Sequence, residues 1–425
     1  MSQPKNRSPL EAKAEETAFL VFINEEEDED DYVEAELEGL CEAAGLRCVG
    51  MMRQRLDRPY KTYFLGSGKA DELAAAVQDT QPDVVIFDGE LSGIQLRNLN
   101  EKLQHKVVDR TQLILDIFAR RARTREGHLQ VELAQLTYMM PRLMSVYTKF
   151  ERQRGGIGMR GPGETKLESD RRMVRDKIAK LSDEIEDVKR HRDQQRAARR
   201  KNPYPFAAIV GYTSAGKSTL MNRLAHTDLL ADAMPFATLD PTTRKVDLSD
   251  GYSVFLTDTV GFIRNLPTHL VAAFRSTLEE VITADFILHV IDASNPDWDM
   301  QRDAVLETLE TLGASEVPCL TVFNKIDLVT TPGLADRMVE DWPPAVAISS
   351  LTGAGIDELQ GQMIAMVQEH LGRVRCLVPY AQSSLVDDCF KFGRVITQEH
   401  REDGILLEAE VVAELRAKLA PFAVA

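Results

Sequence analysis

The chain of 425 residues is short of cysteine and of tryptophan, with five and two. Cys41, Cys48, Cys319, Cys376 and Cys389 are odd in number, and no two stand in a C-x-x-C spacing. That set supports neither a disulfide framework nor a zinc knuckle, so the expectation is buried thiols. Long apolar runs are also missing. The longest, such as "FILHVI", are strand-sized, well below the roughly 20 residues of a membrane-crossing helix. The opening "MSQPKNRSPLEAKAEE" is polar and lacks the apolar core of a secretory leader. A cytoplasmic protein with no membrane span is expected. Positive charge is in deficit too: 51 Lys and Arg against 67 Asp and Glu give −16, which for the whole chain argues against nucleic acid.

The deficit is uneven. From Arg120 to Lys201 there are 22 Lys and Arg against 12 Asp and Glu, a local +10 that leaves −26 for the remainder. A basic stripe in an acidic chain is the footprint of a nucleic-acid contact confined to one element. A solvated helix face rich in Lys and Arg fits the composition equally well. The run "EEEDEDD" (Glu25 to Asp31) reads as a solvated loop. A length of 425 residues, 44% hydrophobic and 28% charged, suits an ordinary globular protein of two to four domains.

Residues 1–110 read as a small α/β domain. "AFLVFI" (Ala18 to Ile23), "LRCVGM" (Leu46 to Met51) and "DVVIFD" (Asp83 to Asp88) alternate with helical stretches such as "KADELAAAVQD", the pattern of a parallel sheet. Its "LGSGKADEL" lacks the G-x-x-x-x-G-K-[ST] spacing and reads as a turn into a helix.

Residues 111–201 carry two apolar seams: Leu129, Leu133, Leu136, Met140 and Leu143, then Val174, Ile178, Leu181, Ile185 and Val188. Steps of four and three mark two helices packed side by side as an antiparallel hairpin, a rod on the order of 45 Å long. Pro141 should kink or break the first arm. Between the arms lies "GGIGMRG", residues 155 to 161. As a bare pattern it is the G-x-G-x-x-G of dinucleotide loops, but a helix rather than a buried strand leads into it, and no ribose-binding acid follows. It reads instead as a glycine-rich tip at which Arg152, Arg154, Arg160 and Lys166 contact RNA phosphates. A plain connector is the competing reading.

In residues 202–373 the flanks do confirm a motif. "FAAIVGYTSAGKST" runs a buried strand into Gly211-Tyr212-Thr213-Ser214-Ala215-Gly216-Lys217-Ser218 and then a helix. Such a loop cradles phosphates with backbone amides, with Lys217 on the β- and γ-phosphates and the Ser218 hydroxyl on Mg²⁺. "VFLTDTVG" ends on Asp258-Thr259-Val260-Gly261, a carboxylate for the metal site and a glycine amide for the γ-phosphate. "CLTVFNKID" ends on Asn324-Lys325-Ile326-Asp327. An Asp there accepts from guanine N1–H and its amine, which adenine does not offer, so GTP and GDP are the expected ligands. "AVAISS", ending on Ser349 and Ser350 before Leu351, supplies amides for the guanine oxygen.

Together "GGIGMRGPGETKLESDRR", "GYTSAGKST", "FATLDPTTR", "DTVGFIRNLP" and "NKIDL" closely resemble the HflX family of ribosome-associated GTPases, of the Obg-HflX-like group. The resemblance runs from about Phe19 through the GTPase domain. It implies binding to the large ribosomal subunit and its rRNA, with the hairpin tip near the peptidyl transferase centre, and rescue of stalled or stressed ribosomes by splitting the subunits. By motif position it places Phe236-Ala237-Thr238-Leu239-Asp240 at the nucleotide, with Thr238 completing a Mg²⁺ set of Ser218, Thr238 and Asp258. Lys217, Thr238 and Gly261 are then the catalytic group. The chain departs from the family at Ser214, where members commonly carry an Asn that holds a monovalent cation, so little response to potassium is expected. Phe262 stands where Ras-like enzymes carry a water-orienting Gln, which implies slow unaided hydrolysis. The alternatives are a GTPase of ribosome assembly or of RNA modification.

Residues 374–425 read as strand, helix, a strand pair turning at Asp403-Gly404, and a last helix. The whole is expected to be a multidomain α/β monomer: a P-loop GTPase domain with a parallel sheet, a small α/β domain and an antiparallel helical hairpin before it, and a small α/β tail domain after it.

Overall fold

The computed structural model describes residues 16–24, 30–151, 162–199, 204–226, 234–264, 267, 270, 275–369 and 371–424. The chain falls into two compact units, one from residues up to Ile117 together with Met139–Arg172, the other from Phe118–Tyr138 together with Met173 onward.

In the first unit the apolar runs do form a parallel sheet, because strands buried on both faces have no polar side to alternate with. β1 (Glu16–Asn24) lies between β2 (Leu46–Arg55) and β3 (Val84–Asp88), with β4 (Lys106–Asp109) beyond β3. β4 escaped the sequence reading: four residues are too few for a periodicity. Helices α1 (Asp30–Ala43), α2 (Ser67–Thr80) and α3 (Gly93–Leu103) alternate with the strands, and Phe19, Val21, Leu73, Val85, Phe87 and Leu99 share one core. α3 opens on a reciprocal cap between Ser92 and Gln95. Two arginine charges are partnered, that of Arg110 buried and that of Arg142 half-buried. Arg110 pairs with Asp88 at 2.8 Å and with Glu36, and Arg142 donates to Leu91 O at 2.8 Å and lies 3.2 Å from Asp109.

Arg110 opens α4 (Arg110–Arg121), followed by α5 (Arg125–Glu151) and α6 (Pro162–Arg199). In the second unit the first half of α5 runs antiparallel to α6, since Lys177 pairs with Glu132 and, one step back along α5, Arg125 with Glu184. Along α6 the expected seam is the sheltered stripe, with Leu181 buried and Val174, Ile178, Ile185 and Val188 half-buried. On α5 the buried side is wider than the seam: Leu129, Val131, Ala134 and Tyr138 are buried and Leu133 and Leu136 half-buried. The expected break at Pro141 does not occur, and α5 continues through it. Arg152, Arg154, Arg160 and the glycine-rich tip lie outside the described residues, as does the side chain of Lys166.

The second sheet has the order β10-β9-β8-β5-β7-β6, parallel except for the β6–β7 pair. Its strands are β5 (Phe206–Gly211), β6 (Thr242–Asp247), β7 (Ser253–Asp258), β8 (Phe286–Asp292), β9 (Cys319–Asn324) and β10 (Ala345–Ala347). Helices α7 (Lys217–Ala225), α8 (Arg275–Ile282), α9 (Trp298–Leu312), α10 (Leu334–Asp341) and α11 (Ile356–Glu369) connect them. The C-terminal module is an antiparallel sheet, order β11-β13-β12, of β11 (Leu371–Val378), β12 (Gly393–Arg401) and β13 (Gly404–Val412), with α12 (Ser384–Phe392) and α13 (Ala413–Leu419). Arg401 pairs with Gly404, so the turn centres on Glu402 and Asp403, one residue earlier than the Asp-Gly pair suggested. The Tyr252 hydroxyl joins the two sheets, donating to Glu410 and accepting from Gln368 at 2.8 Å and Arg394 at 3.1 Å. All five cysteines are free thiols; Cys41, Cys376 and Cys389 are buried, Cys48 and Cys319 half-buried. Among the described residues no helix is long and apolar enough to cross a membrane.

Candidate nucleotide site

The site lies where β5 gives way to α7. Three residues of the connecting loop have positive φ: Gly211 at 156°, Ser214 at 61° and Gly216 at 96°. Two of these are glycines for a steric reason as well. A Cβ on Gly211 would stand 2.2 Å from Val290 O, and one on Gly216 2.3 Å from Asn324 Nδ2. Ser214 is the exception, a residue type that seldom enters the left-handed region where Asn is more at home. The coil wraps a cavity of about 290 Å³ lined by Thr213, Ser214, Gly216, Lys217, Ser218, Phe236, Ala237, Thr238, Thr259, Gly261 and Lys325. All eleven were expected. Thr219 and Met234 line it too and were missed, since each stands just outside the positions to which a motif gives a role.

Lys217 is 6% exposed, and its ammonium donates to Gly211 O at 3.1 Å and Tyr212 O at 2.7 Å. Burial, opposed by nearby Asp258 and reinforced by Lys325, pushes its pKa down to about 8. Those carbonyls leave the charge only partly compensated, as suits a floor for anionic phosphates.

Close to Lys217 three oxygens converge. The Ser218 hydroxyl donates to Asp258 Oδ2 at 2.6 Å, Thr238 Oγ1 lies 3.0 Å from the same oxygen, and the two hydroxyls are 2.8 Å apart. Residues 20 and 40 positions apart therefore meet within one hydrogen-bond radius. Burial raises the Asp258 pKa against the hydrogen bonds of Ser218 and Thr238 and the charge of Lys217. Its other oxygen, Oδ1, is buried with no protein partner among the described residues. An orphaned carboxylate oxygen beside two hydroxyls is a hard, all-oxygen donor set of the kind a small divalent cation takes.

The remaining expected residues form the walls or stand apart. Asn324 clamps two loops, donating to Ala215 O at 2.8 Å and accepting from Ser350 N at 2.9 Å. Lys325, at φ 63°, pairs with Asp292 at 2.6 Å; Asp292 ends β8 and was not foreseen. Ser349 is buried, with its Oγ accepting from Thr352 N at 3.0 Å. Tyr212 donates no group to the cavity; its hydroxyl accepts from Arg264 N at 2.9 Å. Leu239 and Val260 are buried, Ile326 half-buried, and Asp327 and Leu351 exposed, all off the cavity lining. Asp240 also points elsewhere: its carboxylate accepts from the backbone of Arg123 and Thr124. Phe262 is 2% exposed and its backbone zips to the loop, with Thr213 N donating to Phe262 O at 2.8 Å. Its apolar side chain is therefore core, and no polar group reaches the cavity from that position.

A glycine coil around a buried lysine, a cluster of two hydroxyls and a carboxylate, and N-K-x-D at the end of β9 lie on one largely parallel sheet. Together they define a P-loop GTPase, a class that generally uses a divalent metal ion. Family models of a GTP-binding GTPase match its N-terminal region at 31–119 and its middle region at 121–199. A third, for a 50S ribosome-binding GTPase, matches 206–325. The GTPase HflX of Lacrimispora saccharolytica is 46% identical over 407 residues, 96% of each chain. That of Escherichia coli is 43% identical over 393 residues, 92% of each. A GTP-binding protein of the archaeon Sulfolobus solfataricus, solved with GDP, is 23% identical with a TM-score of 0.45, covering 83% of this chain and 99% of that one. The chain belongs to the HflX family of GTPases and is a GTP hydrolase.

Proposed function

We propose that the chain is a ribosome-associated switch that binds the large subunit and couples GTP hydrolysis to separating the subunits of stalled or stressed ribosomes. It works as four pieces: an α/β domain (1–110), a basic hairpin (111–201), a GTPase domain (202–373) and a tail module (374–425). The observation that carries the nucleotide half is the meeting of Ser218, Thr238 and Asp258 beside a cavity that Lys217 also lines. The Lys217 ammonium holds the β- and γ-phosphates, and the loop amides orient them for in-line attack. Asp327 accepts from guanine, and the backbone at Ser349 to Leu351 meets its oxygen. Ser218, Thr238 and Asp258 hold Mg²⁺, which supplies charge neutralisation at the phosphates. Gly261 brings its amide close to where the γ-phosphate stands; a Cβ there would lie 3.0 Å from Lys217 Nζ.

The ribosomal half is supported by the local +10 between Arg120 and Lys201 in a chain of −16 and by the match to a 50S ribosome-binding GTPase model. Contacts from Arg152, Arg154, Arg160 and Lys166 to rRNA phosphates complete the reading. With the Phe262 side chain in the core, the chain brings no water-orienting group from that position, so turnover waits on the ribosome. GTP turnover of the full chain should be slow alone and rise by at least an order of magnitude with large subunits, the scale at which a supplied catalytic group acts. Equal turnover with and without subunits would remove the ribosome from the reading.

A further inference from the structure

Thr238 is bracketed, two residues to either side, by groups that grip a segment outside every nucleotide motif. On one side Asp240 Oδ2 accepts from Arg123 N at 2.8 Å and Thr124 N at 3.0 Å, and its Oδ1 accepts from the Thr124 hydroxyl. That hydroxyl in turn accepts from Gly127 N at 3.0 Å, as an N-cap of α5 does. The Asp240 carboxylate therefore sits over the first turn of a helix, where backbone N–H groups and the helix dipole favour negative charge. On the other side Phe236, 2% exposed and at φ 58°, meets the edge of Phe118 with ring centroids 4.7 Å apart.

Gly127 gives an independent sign that this grip is built in. A glycine in a helix costs on the order of 1 kcal/mol against alanine, yet a Cβ at position 127 would stand 2.5 Å from Asp240 Oδ1. The helix gives up propensity at the one place where the carboxylate needs the room.

We propose that Asp240, Thr124 and Gly127 form a clasp that holds Thr238 in its hydrolysis-competent place, so that Asp240 is a positioning residue rather than a nucleotide contact. This rests on reading Thr238 as the group that engages the metal when the γ-phosphate is present. GDP makes no such demand, so the clasp strengthens GTP binding over GDP. By reciprocity GTP steadies the first turn of α5, and displacement of residues 122–127 by anything bound to the hairpin loosens Thr238.

The test uses the full chain, a non-hydrolysable GTP analogue, GDP and single-turnover hydrolysis. Gly127→Ala and Asp240→Asn should weaken the analogue about tenfold and slow hydrolysis similarly, a typical coupling between sites, while GDP affinity and the melting temperature of the GDP-bound protein hold. Thr124→Ser should recover what Thr124→Ala loses. Equal losses for both nucleotides would make the cluster merely structural, and no loss would make it idle; either overturns the clasp. Thr238→Ala separates the two layers. If it spares the preference for the analogue, the reading of Thr238 falls and the clasp with it; if it destroys the preference while Gly127→Ala does not, the clasp alone falls.

Discussion

The molecule contains two loops that read Gly-Lys ahead of a helix in a parallel-sheet domain, and only one is built for phosphate. At Gly66-Ser67-Gly68-Lys69 the chain arrives through isolated bridges rather than a buried strand, and Gly66 has an extended φ of −62°. Its N–H is already taken by Gln54 Oε1 at 2.9 Å, and Lys69 reaches out to Glu72 at 2.8 Å with 29% of its side chain exposed. At Gly211 to Lys217 a buried strand delivers the chain, three positive-φ residues curl it, and the lysine folds inward onto carbonyls. A phosphate loop is thus defined less by its letters than by where its lysine is forced to go.

The contrast breaks most plainly at the two lysines. Lys217→Ala should weaken guanine-nucleotide binding at least 100-fold, about 3 kcal/mol, whereas Lys69→Ala should leave it unchanged. Fluorescent-nucleotide titration of both variants checks this, and a loss at Lys69 would make the N-terminal loop part of the site. The glycines come next. Gly216→Ala meets Asn324 Nδ2 in a left-handed conformation and should cost about 1–3 kcal/mol of stability. Gly68 faces open space, and alanine there should stabilise α2 by roughly 0.5–1 kcal/mol. Chemical denaturation of the nucleotide-free protein reads both.

The smallest effect concerns a proton. Burial first, with Lys325 adding and Asp258 opposing, lowers the Lys217 pKa to about 8 from 10.5. Above pH 8 the empty site increasingly carries a neutral amine, and incoming phosphates restore the charge. Nucleotide binding at pH 8 should therefore take up on the order of half a proton, and affinity should decline as pH rises from 8 to 9. Calorimetry in two buffers of different ionisation enthalpy measures the uptake; none at all would mean that Lys217 stays charged when the loop is empty.

Much of this was legible beforehand because the decisive features are local. The strand-loop-helix around Gly211 to Ser218 and the strand-ending Asn324 to Asp327 announce themselves within a dozen residues. So do the apolar runs of the N-terminal sheet and the α6 seam. What escaped depends on distance along the chain. Nothing near Asp240 says that its carboxylate belongs to a helix cap 116 positions earlier, and the motif around it pointed to the nucleotide instead. Gly127 reads as a blemish in a helix until Asp240 is placed beside it. Pro141 left a kink or a break open, and only the break is excluded, since the helix continues through the one missing donor.

The order of the six-stranded sheet also bears on how the protein behaves in concentrated solution. Its two margins are β10, three residues long, and β6, whose Arg244 and Lys245 are exposed. A margin of three residues offers too short a row of free amides and carbonyls for another chain to pair with. On the opposite margin the exposed Arg244, Lys245 and Asp247, with Lys245 and Asp247 paired at 2.9 Å, set a row of charged side chains along the strand. Self-templated strand addition is thus discouraged at both ends, and the open sheet that carries the nucleotide chemistry can stay unpaired without seeding aggregates.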